Sequence, residues 1–346
     1  MSADGTTTLE RPVPAAREDA RRSGQRLLGG LVNSPLTRLG TVWFLLLLVV
    51  LAGLLYPGFY DSGNLRNILS QNAPIGLIAV GMTFAMIGGG FDLSVGAVAA
   101  VSSVTVAKLT ASVGLPQAVG LTLLVAAGLG LLNGLLVTRL SINPFVATLG
   151  TASIYSGAAY LISDSQPIVV TVPHFQWLGQ GLVGGVPVSV WILAVVFAIG
   201  ALALWGTVFG HCTYAVGGNR EAARLAGIRV DLVQVVGYVV VALMAGLAGV
   251  LLTSRLGVGQ ADVGSDMTLD AITIVVVGGT SLFGGEGSVW RTGVGLLLLG
   301  VIINVADFQG WSGQLESILK GCVLLTAVGL DVLTRRLRAR AGAAST

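Results

Sequence analysis

The sequence predicts an all-α polytopic membrane protein of about ten transmembrane helices, with both termini cytoplasmic. Three observations lead there. Of 346 residues, 54% are hydrophobic and only 10% are charged, whereas a water-soluble domain carries roughly 25% charged residues. The mean hydropathy is +0.86, and the apolar residues fall into runs able to cross about 30 Å of hydrocarbon. The basic residues, finally, collect in alternate connections between those runs, as the positive-inside rule requires.

Residues 1–38 are polar and hold Arg11, Arg17, Arg21, Arg22, Arg26 and Arg38. The charged stretch is too long for a signal peptide, and the apolar run after it is one of many. It reads as a cytoplasmic tail without fixed structure. A membrane domain over 39–335 follows, with spans expected at 39–56, 69–88, 93–113, 116–137, 145–162, 188–209, 232–254, 269–283, 292–306 and 315–333. The eighth and ninth are short and are expected to extend into flanking Gly-rich loops or to tilt. Residues 336–346 close the chain as a cytoplasmic tail.

With the N-terminus inside, 15 of the 19 Lys and Arg residues fall in cytoplasmic segments, and the external loops keep only Arg66 and Arg255. A miscounted span would move every later loop to the other side, so the bias supports the count. It also accounts for the net charge of +3 through topology rather than nucleic-acid binding. Gly occurs 50 times, which suits helices packed backbone to backbone.

Several chemistries are excluded. A Walker A loop needs Gly-Lys followed by Ser or Thr, but Lys108 precedes Leu109 and Lys320 precedes Gly321. No span holds a histidine to serve as base for a nucleophile. The pair His211-Cys212 has no second pair of ligands, so no metal is expected. Gly179-Gln180-Gly181-Leu182-Val183-Gly184 is a formal GxGxxG, but no strand precedes it and no helix with a downstream acid follows. Ion-coupled carriers place charges at mid-membrane, where each costs about 2.5–3.5 kcal/mol. Here the middles of the spans are nearly bare. The exception is Glu316 and Lys320, four residues apart, whose spacing suits a self-neutralising pair, while Lys108 lies near the outer end of its span and can snorkel. The span interiors otherwise offer small polar groups. Asn72, Thr83, Ser94 and Thr148 are the candidates for a solute path, each weighed against a role in helix packing.

Four stretches carry the remaining signal. Gly88-Gly89-Gly90-Phe91-Asp92-Leu93-Ser94-Val95-Gly96 reads as a tight turn in which Asp92 or Ser94 caps the next helix. Asp92 is expected at the cytoplasmic edge, where its charge need not be fully buried. Asn143 followed by Pro144 reads as a cap and first helical residue. Asn219-Arg220-Glu221-Ala222-Ala223-Arg224-Leu225-Ala226-Gly227 reads as a polar helix of about two turns, capped by Asn219 and stopped at Gly227. Gly278-Gly279-Thr280-Ser281-Leu282-Phe283-Gly284-Gly285-Glu286-Gly287-Ser288 is a second Gly-rich turn, read as packing.

Taken in order, these stretches resemble the permease subunits of bacterial ABC importers for monosaccharides of the ribose, xylose, arabinose and galactose type. That group lies within a superfamily that includes branched-chain amino-acid permeases, and the likeness runs from about Leu65 to Asp331. Gly89, Gly90 and Asp92 fall in its GG-x-DLSVG string. The run from Asn143 to Gly150 is similar to its PFIVTLG, and Gly278, Gly279, Gly284 and Gly285 fall in its GGTSLFGG-x-GS. Asn219, Arg220, Glu221, Ala222, Ala223, Arg224 and Gly227 match its N-x-EAA stretch.

The resemblance implies a non-catalytic permease of the bacterial cytoplasmic membrane, paired with a second copy or relative in the lipid bilayer. An ABC ATPase that holds ATP and magnesium would grip the 219–227 coupling helix. An extracytoplasmic sugar-binding protein would dock on loops 61–64, 163–187 and 262–266. The chain itself would carry no cofactor. Nucleoside or branched-chain amino-acid import is the alternative within the family, and an ion-coupled secondary transporter the alternative outside it. The polar N-terminal tail exceeds the family pattern.

Overall fold

Each of the ten apolar runs is helical in the computed structural model, which describes the backbone of residues 40–343 and side chains as far as 333. The expected tail at 1–38 lies outside the described residues. The helices are α1 (Gly40–Leu55), α2 (Ser62–Ile87), α3 (Val95–Val113), α4 (Leu115–Thr138) and α5 (Pro144–Ile162). They continue with α6 (Trp177–Gln180), α7 (Val188–Gly206), α8 (Val208–Gly218), α9 (Arg220–Leu225) and α10 (Val230–Leu256). The last three are α11 (Met267–Val277), α12 (Val289–Phe308) and α13 (Gly313–Ala343). Seven of them, α2 to α5, α7, α10 and α12, are long and apolar enough to cross a membrane. Of the other three expected spans, α1 has 16 residues, α11 has 11, and α13 extends through the expected tail to Ala343. The packing described below is that of Thr41–Val328, which forms one unit by itself.

Burial follows composition. α2 is apolar from Ala73 to Ile87 apart from Thr83, and all of those residues are buried, as a helix with no polar stripe must be. α10 is the other central helix and packs against α2, α3 and α4. Small residues set its contact with α4. A Cβ built on Gly130 would lie 2.5 Å from that of Ala242, and one on Gly134 would lie 2.9 Å from the Val235 Cα. Close approach of this kind gives apolar helices their van der Waals attraction in lipid. α7, by contrast, shows Trp191, Val195, Ile199, Leu202 and Trp205 to the surroundings.

Four two-residue strands gather in two small sheets. β1 (Ile168–Val169) pairs antiparallel with β4 (Val258–Gly259), and β2 (Leu182–Val183) forms a hairpin with β3 (Val186–Pro187). Gly184 and Gly185 both have positive φ at its tip, as a type I′ turn requires.

Two expectations about spans are corrected. The sixth ends at Gly206 rather than at 209, because Thr207 is extended and its hydroxyl accepts from the Gly210 N–H to start α8. The eighth is helical over Met267–Val277 and stops short of 283, residues 278–283 being non-helical, while the chain from Gly257 to Asp266 is non-helical, as a connection there requires. Nor does 262–266 sit in a loop at the end of the bundle. After β4 the chain descends beside α3, passing Ser103, whose hydroxyl accepts from the Gln260 N–H at 3.1 Å, and brings Gly264 against Gly96 in the first turn of α3.

Candidate coupling site and broken-helix crossing

α9 begins and ends by local chemistry. Asn219 is extended, and its side-chain oxygen accepts from the N–H groups of Glu221 and Ala222, both at 3.0 Å. Glu221 places a negative charge in the first turn, where the helix dipole favours it. At the other end Gly227 has φ +82°, and the Ile228 N–H returns to the Ala223 carbonyl at 3.0 Å, the bond that closes a Schellman stop. Ala223 alone of the helix is buried, in a cluster with Val216, Val230 and Val233. Glu221, Arg224 and Leu225 all face outward, and Leu225 is 86% exposed.

Inward, α9 is tied to both Gly-rich turns. The Arg220 guanidinium donates to the Gly89 carbonyl at 3.1 Å and, with Gln234 turned so that its amide oxygen faces it, also to Gln234. Gly217 in α8 lies against the Ile87 carbonyl and the Gly285 N–H, while that N–H donates to Ile87 O at 2.8 Å. Gly284 in turn abuts Gly89 and Gly217. Side chains at these positions would hold the three backbones apart. Tyr214 adds a hydrogen bond to the Gly287 carbonyl at 2.8 Å.

From Gly89 the chain leads into the bundle without helical structure until Val95. Tyr238 of α10 donates to the Phe91 carbonyl at 3.0 Å, and Thr148 of α5 accepts from the Leu93 N–H at 3.0 Å. Asp92 Oδ1 accepts from both the N–H (2.8 Å) and the hydroxyl (2.6 Å) of Ser94. Asn133 donates to Ser94 Oγ at 2.8 Å and to Asp92 Oδ2 at 3.3 Å, and its own oxygen accepts from Tyr155 at 3.1 Å. Asp92, Ser94 and Asn133 are all fully buried. Asp92 is therefore not at an exposed edge: Asn133 stands five residues inside the end of α4 at Thr138, about 7 Å along the axis. Ser94 is the N-cap residue of α3 by position, but its side chain makes no cap bond.

Just beyond, the first turn of α3 meets the non-helical segment that precedes α11. Gly96 and Gly264 contact one another backbone to backbone, and Thr268 Oγ1 accepts from the Gly96 N–H at 3.2 Å. The start of α3 is thus held against the chain that leads into α11.

Of the four path candidates, Ser94 and Thr148 come together beside the 88–94 segment. Thr83 is on α2, where its hydroxyl meets that of Thr292 at 2.7 Å, and Asn72 bonds the Ile68 carbonyl at 2.7 Å. All four are engaged in hydrogen bonds within the chain. The expected Glu316–Lys320 pair does not form: Lys320 bonds Asp270 of α11 at 2.9 Å, a partner the i, i+4 spacing could not reveal. Asn143 caps α5 as expected, accepting from the Phe145 N–H at 2.9 Å. Among the described residues no cluster of His, Cys, Asp and Glu suited to a metal occurs. The Arg220–Gly89 bond and the Asp270–Lys320 pair escaped the sequence reading, since neither has a local signal.

Comparison with known proteins places the chain in a family. A family model described as branched-chain amino acid transport system / permease component matches residues 64–328. The ribose import permease protein RbsC of Bacillus subtilis is 42% identical over 86% of this chain and 94% of its own length. RbsC of Escherichia coli K12 is 36% identical over 83% and 91%, and the L-arabinose transport system permease protein AraH of the same strain is 35% identical over 82% and 87%. No solved structure matches. The chain belongs to the branched-chain amino-acid transport-system permease family.

Proposed function

We propose that this chain is the membrane subunit of an ATP-driven ABC importer that admits a monosaccharide, a pentose or hexose delivered by an extracytoplasmic binding protein. Relatives at 35–42% identity carry ribose and arabinose import in their names, which supports the solute class. The observation that carries the coupling half is the Arg220–Gly89 bond. It joins a capped, outward-facing helix to a backbone segment that leads to the middle of the bundle. The chain has no Walker A lysine, so ATP and magnesium belong to the partner ATPase. In this reading ten spans leave both termini and α9 in the cytoplasm. The ATPase pushes α9, Arg220 and Gly217 transmit the displacement to 88–94 and 278–288, and the crossing at Gly96 and Gly264 opens or closes. A second copy or relative of the chain completes the pore.

Glu221→Arg tests the coupling role. It reverses a charge on an exposed face without touching a buried contact, so membrane insertion is expected to be unchanged and stability to fall by no more than about 1 kcal/mol, the worth of a charge at a helix start. Sugar uptake by the reconstituted complex is expected to be lost, together with the stimulation of ATP hydrolysis by loaded binding protein. Uptake at the original rate would rule out α9 as the handle. A panel of ribose, arabinose, leucine and uridine separates monosaccharide import from the family's other solutes.

A further inference from the structure

A cavity of about 190 Å³ opens where the first turn of α3 meets the segment before α11. Gly96 and Ala100 of α3, Ala152 and Ser156 of α5, and Ser265 and Thr268 beside α11 form its walls. The larger cavities differ in kind. One of about 360 Å³ lies among Leu193, Phe197, Trp290 and other apolar residues of α2, α7 and α12, with Asn72, already bonded to the Ile68 carbonyl, as its polar side chain.

Several polar groups around the smaller cavity are left open. Ser156 Oγ has no hydrogen-bond partner among the described residues, and neither the N–H nor the C=O of Ala261, which also lines it, is bonded there. The Ser265 hydroxyl donates to the Asp262 carbonyl, leaving its oxygen free to accept. Non-helical backbone at membrane depth persists only where it is buried in protein or lines a water-filled cavity. Here it lines one, and its open donors and acceptors are neutral. An ion would find no charge to pair with among these wall residues. A polyhydroxylated solute would find hydroxyl, amide N–H and carbonyl partners on three sides. The volume is below the roughly 300 Å³ of pockets for drug-sized ligands, which fits a solute of about ten heavy atoms.

We propose that this cavity is the subsite through which the monosaccharide passes, with Ser156 and the Ala261 backbone as its hydrogen-bonding contacts and the Gly96–Gly264 contact as its floor. The assignment rests on the importer reading above. Few contacts suit such a subsite, since a solute must be able to leave a transit site again. It also explains why Gly stands at 96 and 264: a Cβ on either would strike the backbone of the other and fix the crossing apart.

Two measurements test it on the full importer in liposomes, with D-ribose and L-arabinose as probes. Ser156→Phe fills the cavity and is expected to lower ATP-driven uptake at least about tenfold, the equivalent of one lost charge-free anchor and its space, while ATP hydrolysis continues. Ser156→Cys, in a chain with Cys212→Ser and Cys322→Ser, is expected to react with a small water-soluble thiol reagent and to be protected several-fold by millimolar D-ribose but not by L-leucine. The labelling arm holds if Ser156→Phe fails to fold. Normal uptake by Ser156→Phe, or a thiol in the Ser156→Cys variant that is unreactive or unprotected, overturns the subsite while leaving the importer reading intact. A wild-type complex without ATP-dependent uptake of either sugar overturns the importer reading itself.

Discussion

Arg220 and Gly89 are 131 residues apart, yet the guanidinium of one donates to the carbonyl of the other at 3.1 Å. The same side chain also reaches Gln234 at the start of α10, so a single planar fork holds α9, the Asp92 segment and the central helix together. Lys offers a point charge on a flexible stem and cannot reproduce two directed contacts. Arg220→Lys is therefore expected to retain part of the ATP-driven uptake and Arg220→Ala to retain little, with ATP consumed per sugar rising in that order. Arg224→Ala is the control. Its ion pair with Asp231 is long, at 3.5 Å, with side chains 71% and 49% exposed, and such pairs contribute about 0–1 kcal/mol. Equal losses at 220 and 224 would mean that charge on α9 matters rather than the bond to Gly89.

Adjacent glycines in α8 separate packing from propensity. A Cβ at Gly217 would run into the Ile87 carbonyl, whereas one at Gly218 would meet nothing within 4 Å. Gly218→Ala should leave stability unchanged or raise it by up to about 1 kcal/mol, as Ala does in a helix. Gly217→Ala should push α8 off the two Gly-rich turns and lower the thermal midpoint in detergent by about 2 °C for each kcal/mol lost. The prediction fails if the two variants melt alike.

How much of this was legible beforehand depends on how local the cause is. Asn219, Glu221 and Gly227 are readable because capping groups act within one turn, and the structure forms those bonds where the residue types imply them. Asn143 and Pro144 behave the same way. The connection before α11 was readable as non-helical, but its path was not: it enters the bundle and sets Gly264 against Gly96, 168 residues away. A hydropathy window sees only that the run is short. Asp92 was misplaced for the same reason. A turn motif gives its conformation, but not the presence of Asn133 and Tyr155 from two other helices to receive it.

The Asp92 network predicts its own ranking of variants. Asp92→Leu removes the acceptor for the Ser94 N–H and hydroxyl and strands both in a buried site, at about 1–3 kcal/mol for each unsatisfied group. Asp92→Asn keeps an oxygen for Ser94 but turns an NH2 toward the Asn133 NH2, which cannot rotate without abandoning Tyr155. The leucine variant is expected to be the less stable, with the asparagine variant between it and wild type. Thermal unfolding monitored by circular dichroism in detergent decides. A leucine variant as stable as wild type would show that Ser94 and Asn133 find other partners.

Asp270 and Lys320 are the last pair whose worth can be measured. Their oxygen–nitrogen distance is 2.9 Å and their side chains are only 17% and 21% exposed, so each charge has few alternatives. Removing one partner leaves the other buried and uncompensated, which typically costs about 3–5 kcal/mol, whereas replacing both can be neutral or stabilising. Lys320→Met and Asp270→Leu are each expected to destabilise the protein, and the double variant is expected to recover most of the loss. A double-variant cycle on thermal stability, with sugar uptake measured alongside, reads both quantities. If the double variant is stable and transports normally, the pair is a staple between α11 and α13. If it is stable but transports nothing, the charges have a part in moving α11. Additive losses would show that the two residues do not depend on one another, against the 2.9 Å contact.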